Sequence, residues 1–125
     1  MTNQEIFDKV STHLLTQGAK SMLDDPTKPM TCAYRGTEGR RCAVGVLISD
    51  EVYYTEIEGD AVTYDGVKAM LRASGVSSVN GRRLDLLSDL QQIHDTCPPL
   101  SWGDELLLTA RKYRLNAEAI RRGEA

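Results

Sequence analysis

Apolar side chains recur with the period of an α-helix near the start of the chain. Thr2 and Glu5 have the spacing of a capping box, in which each residue satisfies a backbone N–H of the first helical turn. Gly18 is a natural end for this helix. The apolar positions of one helical face are Ile6, Phe7, Val10, Leu14 and Leu15. The pattern therefore predicts a first helix that packs one face against a core.

The same period returns in the second half of the chain. Leucines and an isoleucine repeat at helical spacing over 82–97, and Pro98 and Pro99 end that helix. A helix is also predicted over 64–74, ended by Gly75. Ser101 precedes a further helix with the spacing of a capping box, and Asn116 is suited to cap a short last helix.

The segment between the first two helices has a different pattern. Residues 31–35 and 41–48 are short and rich in small and β-forming residues, and the turn Gly36–Gly39 separates them, which predicts a β-hairpin. Its register stays open, because a shift of one residue moves Cys32 and Cys42 between opposite faces and the same face. We therefore expect an α+β fold. It is a mostly helical single domain, residues 1–125, packed on a small β-hairpin or short antiparallel sheet.

Composition narrows the class of protein without naming an activity. The chain has 125 residues, 41% of them hydrophobic and 26% charged, with a net charge of −3, as in ordinary globular proteins. The first residues lack the basic start and apolar block of an export signal, so we expect a cytoplasmic protein with no membrane association. Its three cysteines are then expected as thiols, not as a disulfide framework. The net charge also argues against a whole-surface nucleic-acid binder, although a local basic patch stays possible, and we predict no sequence-specific nucleic-acid partner.

Charge is unevenly distributed along the chain. Six acidic residues lie between Asp50 and Asp65, and neither lysine nor arginine occurs from residue 42 to residue 67. A basic cluster lies near the end, at Arg111, Lys112, Arg114, Arg121 and Arg122. Such clusters are ordinarily solvated, but opposite charges on two copies of the chain also allow a homo-oligomer.

Cysteine and histidine offer two catalytic or metal-binding alternatives. Cys32, Cys42, His94 and Cys97 supply the donor types of a tetrahedral zinc site, although their spacing matches no known zinc motif. A cysteine paired with His94 could instead act as a nucleophile. The competing interpretation is that these side chains are ordinary core residues. We therefore predict no catalytic residue, no metal ligand and no cofactor.

The turn between the two predicted strands offers a third alternative, which is anion binding. Arg35, Arg40 and Arg41 carry guanidinium groups that match phosphate oxygens. Gly36 and Gly39 allow a ligand to approach the backbone closely. Tyr34 could stack on a base. Equally, the arginines could simply pair with the acidic segment that follows.

The motif C-A-Y-R-G-x-x-G-x-x-C-A-x-G-x-L-I-x-D-E-x-Y, followed by L-x-x-L-Q-x-I-H-D and a tryptophan, resembles a family of small uncharacterised bacteriophage and prophage proteins. The similarity covers most of the chain. It implies a small accessory protein acting in the cytoplasm of an infected bacterium. Such proteins more often bind and block a target than catalyse a reaction.

These observations favour a non-enzymatic phage-type accessory protein that binds and blocks a host or defence component. In the sharper form of the hypothesis, the ligand is a nucleotide signal. The alternative is a small cysteine- and histidine-dependent hydrolase or a zinc-binding protein. The predicted ligand-binding residues are Tyr34, Arg35, Gly36, Gly39, Arg41, His94, Asp95 and Trp102.

Overall fold

The computed structural model describes residues 1–28 and 31–124, with side chains as far as Arg121. Within these residues the chain forms five α-helices: α1 (Asn3–Gln17), α2 (Asp65–Ala73), α3 (Gly81–Thr96), α4 (Trp102–Tyr113) and α5 (Glu118–Glu124). Short 3-10 turns lie at Thr37–Gly39, Gly45–Leu47, Thr55–Ile57 and Pro99–Ser101. The described part of the chain is therefore mostly helical.

Local sequence signals account for the N-terminal ends of α1 and α5. The Glu5 N–H donates to Thr2 Oγ1 and the Thr2 N–H donates to Glu5 Oε1, at 3.1 and 2.8 Å, which confirms the predicted capping box. Asn116 Oδ1 accepts the Glu118 N–H at 2.6 Å, as predicted for a cap. The capping box expected at Ser101 is wrong. Its side chain makes no capping bond, because the preceding 3-10 turn leads directly into α4.

One hydrophobic core receives side chains from every helix. Fully buried examples are Phe7 of α1, Leu71 of α2, Leu90 of α3, Trp102 of α4 and Ile120 of α5. Helix α1 packs against α3, α4 and α5, and also against the turn at Gly45–Leu47. The long segment between α1 and α2 is thereby fixed on the helical core.

The predicted α+β fold with a β-hairpin is wrong. Residues 31–48 form no sheet, and the β-structure of the described residues is a single isolated bridge between Met22 and Cys32. One hairpin-like bond does form, from the Gly36 N–H to the Arg40 carbonyl at 2.9 Å. Beyond it, no backbone hydrogen bond joins residues 31–35 to residues 41–48.

Side chains from distant parts of the sequence explain why the two segments do not pair. They accept hydrogen bonds from N–H groups that a hairpin would pair. Arg35 N donates to Glu58 Oε2 at 3.0 Å, and Arg41 N donates to Gln17 Oε1 at 3.0 Å. Val44 N donates to a side-chain oxygen of Gln91 on α3 at 2.9 Å. Since buried backbone donors need one partner each, these side chains substitute for a neighbouring strand.

Candidate functional site

The Arg35 side chain is engaged in contacts within the protein. Its guanidinium donates to the Gly45 and Ile48 carbonyls at 2.6 and 2.7 Å and to Asp50 Oδ1 at 3.1 Å. The same group lies 4.7 Å from the centre of the Tyr53 ring, a cation–π distance. Only 18% of the side chain is exposed. Arg35 therefore ties the loop together and presents no open fork to a phosphate.

Glu58 fixes the backbone on the other side of Arg35. Its carboxylate accepts the Tyr34 and Arg35 N–H groups at 2.8 and 3.0 Å and the Tyr53 hydroxyl at 2.6 Å. Burial raises the pKa of Tyr53, and its hydrogen bond to Glu58 raises it further. One carboxylate thus anchors three donors. The sequence analysis missed this role, although Glu58 stands out within the acidic segment by being followed by Gly59.

The two predicted glycines serve the turn. A Cβ on Gly36 would collide with the Ser21 side chain and come within 2.7 Å of the Met22 nitrogen, so the backbones approach too closely for any side chain. Gly39 has a φ of 71°, in the left-handed region that glycine adopts without strain. Both positions are explained by packing and backbone conformation, without a ligand.

Arg41 also pairs within the protein. Its guanidinium lies 2.9 Å from Asp50 Oδ1, the oxygen that Arg35 contacts. The positive charge of Arg41 holds the pKa of Asp50 below its usual value, helped by the hydrogen bond from Arg35. The alternative in which the arginines pair with the acidic segment is therefore the one found.

His94 and Trp102 lie in the core, at 0% exposure. The Ser21 N–H donates to His94 Nε2 at 2.8 Å, so the ring hydrogen lies on Nδ1, which donates to Asp95 Oδ1 at 2.7 Å. The Trp102 ring stacks on His94 at 5.6 Å, and its Nε1 donates to the Cys97 carbonyl at 3.0 Å. Both nitrogens of His94 are therefore occupied by structural bonds.

The cysteines do not complete a metal or nucleophilic site. Donor atoms of Cys32, His94 and Asp95 lie within 4.8 Å of one another, but Cys42 and Cys97 are outside that described group. A metal on His94 Nδ1 would displace the hydrogen that the Ser21 contact requires there. Burial raises the pKa of Cys32 to about 11 and that of Cys42 to about 12. Both thiols are therefore protonated at neutral pH and poorly nucleophilic.

A cleft of about 540 Å³ lies between the loop 31–34, the loop 59–63 and helix α3. Its apolar lining residues include Ala33, Val62 and Cys42. The Tyr34 hydroxyl closes one side by donating to the Asp60 carbonyl, and burial raises the pKa of this tyrosine. Apolar walls with a few converging polar groups are typical of ligand sites.

The carboxylates of the cleft differ from Asp50, which accepts from two guanidinium groups of the arginine loop (residues 34–41). Neither Asp60 nor Asp95 pairs with an arginine or lysine side chain among the described residues. Asp95 Oδ1 accepts from His94 and Gln91, and the Cys32 thiol lies beside the same carboxylate, whose charge adds to the effect of burial in raising the pKa of that thiol. Oδ2 has no nitrogen or oxygen donor within the part of the chain that is described. The side chain is 36% exposed. The Asp60 carboxylate likewise has no such donor among the described residues, since Tyr34 contacts only its backbone oxygen. The cleft therefore has carboxylate oxygens that can accept hydrogen bonds from a ligand.

Two of the predicted site residues, Tyr34 and Asp95, line this cleft. The other six do not line it: Arg35, Gly36, Gly39, Arg41, His94 and Trp102. Sequence reasoning missed the contribution of 59–63 and of Gln91. The only available signal was the position of Asp60 in the acidic segment.

A broader, more open groove of about 890 Å³ runs along α1. Lys9, Glu38 and Arg40 give it charges of both signs, and Glu38 and Arg40 pair with each other at 2.9 Å. His13 donates from Nε2 to the Arg41 carbonyl at 2.8 Å, and burial lowers the pKa of its ring. The groove is less enclosed than the cleft, and its charges compensate one another.

Comparison with known proteins yields no match to a family model, to a curated protein or to a solved structure. The resemblance to phage and prophage proteins therefore stays a prediction. No described helix has the length and apolar character needed to cross a membrane.

Proposed function

We propose that this chain is a non-enzymatic binding protein and that the cleft beside α3 is its binding site. The observation that supports this most strongly is the pairing of apolar walls with unused acceptors on Asp60 and Asp95. In the phage-type context that the sequence suggests, the bound component belongs to the host or to its defences, and binding blocks it. Action in the bacterial cytoplasm belongs to the same proposal.

The arginine loop is not the proposed contact surface. Arg35 and Arg41 already share Asp50, and Arg35 also holds two carbonyl oxygens. Recruiting Arg35 to a phosphate would leave the Gly45 and Ile48 carbonyls unpaired, and recruiting Arg41 would break its pair with Asp50. A nucleotide signal held by these arginines is therefore a weaker hypothesis than a ligand in the cleft.

The hydrolase and zinc alternatives have less support. A thiol enzyme needs a thiolate and an accessible base, whereas Cys32 and Cys42 have raised pKa values and His94 is fully bonded. Self-association remains a separate prediction. On the basic cluster, Lys112 is already paired with Asp89 at 2.7 Å, and the Arg122 side chain lies outside the described residues.

The proposal is tested by filling the cleft. Ala61 is exposed at the cleft wall, so Ala61→Trp blocks entry without replacing a buried side chain. Ala69→Trp is the matched control, because Ala69 is exposed on α2 outside the cleft. The immobilised full-length protein and both variants are incubated with bacterial lysate, and captured components are quantified by mass spectrometry.

We expect a component retained by the wild type and by Ala69→Trp to be lost with Ala61→Trp. Circular dichroism spectra of the three proteins should coincide. Equal capture by both variants would contradict the assignment of the site to the cleft, as would the absence of any specifically captured component.

A further inference from the structure

The ionisable groups of the cleft have one sign of charge. Among the described residues, Asp60 and Asp95 are the carboxylates of the lining, and no lysine, arginine or histidine of that part of the chain lines it. Cys32 and Tyr34 also line it, but burial raises the pKa of each, so both stay neutral at physiological pH. An anionic ligand would therefore meet two like charges without a compensating cation in the lining.

The segment of the chain that contributes Asp60 carries the same sign of charge. The exposed side chains Glu51, Glu56 and Asp65 belong to the same acidic segment as Asp60, which contains no basic residue. One cation lies nearby, since Lys20 Nζ donates to the Asp95 carbonyl oxygen at 3.2 Å. It compensates only part of the negative charge. Clefts lined by one sign of charge concentrate ligands of the opposite sign.

The apolar part of the lining limits the ligand further. Ala33, Ala61 and Val62 line the same cavity as the carboxylates. A bare inorganic cation would leave these surfaces without a partner. A cationic head on an aliphatic stem satisfies both parts, because its methylenes cover apolar surface while the head reaches the charges.

The carboxylate oxygens that can still accept hydrogen bonds favour a ligand whose cationic group is planar. In the described structure, neither oxygen of the Asp60 carboxylate has a nitrogen or oxygen donor. The Asp95 carboxylate already contacts His94, Gln91 and the Cys32 thiol, and one of its oxygens has no nitrogen or oxygen donor. A guanidinium group offers five N–H donors in a fork that matches a carboxylate in bidentate fashion. Asp60 can accept such a fork, and Asp95 can accept a single further N–H.

We propose that the cleft binds an alkylguanidinium group, with Asp60 and Asp95 as its counter-charges. This inference rests on the proposed binding function and names the ligand chemistry of that same site. The group is carried either by an arginine side chain of a partner protein or by a small free guanidine. Phosphate-bearing ligands are disfavoured by the same carboxylates.

The test is an NMR titration of the ¹⁵N-labelled full-length protein. The probes are the peptide acetyl-Gly-Arg-Gly-amide, its citrulline counterpart, agmatine and inorganic phosphate. Citrulline has nearly the same shape as arginine but no charge, so the pair of peptides isolates the cation. We expect the arginine peptide to shift amide resonances of 59–63 and 91–96, and the citrulline peptide to bind about tenfold more weakly, since one charge-assisted hydrogen bond accounts for such a factor.

Matched variants test whether the Asp60 carboxylate supplies the counter-charge. Asp60→Asn keeps the backbone carbonyl that Tyr34 contacts, so the fold is retained while the counter-charge is removed. We expect it to weaken arginine-peptide binding about tenfold. Asp65→Asn, in the same acidic segment but outside the cleft, should change binding by less than about twofold. Equal affinity for the citrulline peptide, or an unchanged affinity in Asp60→Asn, would overturn the inference.

The remaining outcomes separate the sources and the two proposals. Agmatine binding as tightly as the peptide indicates a small free guanidine, and binding of the peptide alone indicates a partner protein. Inorganic phosphate that shifts the cleft resonances more than the arginine peptide does would overturn the guanidinium assignment.

The two proposals can fail separately. If Ala61→Trp abolishes capture from lysate while no guanidinium probe binds, the ligand chemistry is wrong and the binding site stands. If the guanidinium probes bind but capture survives Ala61→Trp, the cleft recognises the cation and the proposed function is wrong.

Discussion

The arginine loop at residues 34–41 and the cleft beside α3 show opposite uses of polar side chains. In the loop, the charges that stand out in the sequence are paired, since Arg35 and Arg41 share Asp50. In the cleft, Asp60 and Asp95 are less conspicuous in the sequence, yet neither pairs with an arginine or lysine side chain among the described residues. Residue type alone is therefore a poor guide to which groups can bind a ligand. Whether the group already pairs with an oppositely charged side chain of the protein is a better one.

Among the substitutions that test this comparison, Gly45→Ala is expected to have the largest effect on stability. A Cβ at Gly45 would collide with the backbone oxygen of Tyr34, and neither group lies on a flexible side chain. We expect the free energy of unfolding to fall by about 3 kcal/mol, measured by urea denaturation. Gly66→Ala is the control, because its Cβ would lie 3.8 Å from Ile57 and α2 would gain helix propensity. A Gly45→Ala protein as stable as wild type would show that the loop is not a tightly packed scaffold.

A smaller loss is expected from Glu58→Gln. The amide group of glutamine would retain one acceptor oxygen but direct N–H groups at one or more of the three donors that Glu58 now accepts. The predicted loss of unfolding free energy is about 2 kcal/mol. Glu56→Gln changes an exposed side chain two residues away and should leave stability unchanged. If both variants unfold at the same urea concentration, Glu58 is not the anchor inferred from its contacts.

The first helix and α3 could be predicted from the sequence because their signals are local. Thr2 and Glu5 are three residues apart, and the apolar period of α3 lies within one segment. The hairpin could not be excluded in this way. Its N–H groups are taken by Gln17, Glu58 and Gln91, and the sequence does not show that these side chains reach them.

The site was predicted only in part for the same reason. Tyr34 and Asp95 do line the cleft, but His94, one residue before Asp95, points into the core against Trp102. Helical periodicity suggested that His94 lies beside apolar positions, yet it could not identify Ser21 as the donor to its ring. Contacts across many residues decide which polar groups are left free.

The two arginines that flank the turn offer a more graded comparison. Arg35→Ala removes bonds to two carbonyls and to Asp50 and should cost about 2 kcal/mol of unfolding free energy. Arg40→Ala removes a largely solvated pair with Glu38 and should cost less than about 0.5 kcal/mol. Thermal or urea unfolding of the two variants measures the difference. Equal losses would mean that Arg35 is no more engaged in the fold than Arg40.

The smallest expected effect is a pH dependence from His13, in the groove along α1. Burial lowers the pKa of His13 in the folded protein, so the unfolded chain binds the proton more readily. Its contribution is fully present above the ordinary histidine pKa of about 6.5 and is lost as the pH falls below that value. Unfolding free energies of wild type and His13→Gln, measured from pH 8 to pH 5, should diverge. Parallel profiles would contradict burial of this ring.

Site-specific photo-crosslinking tests the contrast between the two regions most directly. Benzoylphenylalanine is placed either at Thr63, exposed on the cleft, or at Glu38, exposed on the arginine loop, and each full-length protein is irradiated in bacterial lysate. We predict a specific adduct from position 63 and none from position 38. An adduct from position 38 alone would place the contact on the arginine loop and contradict the assignment of binding to the cleft.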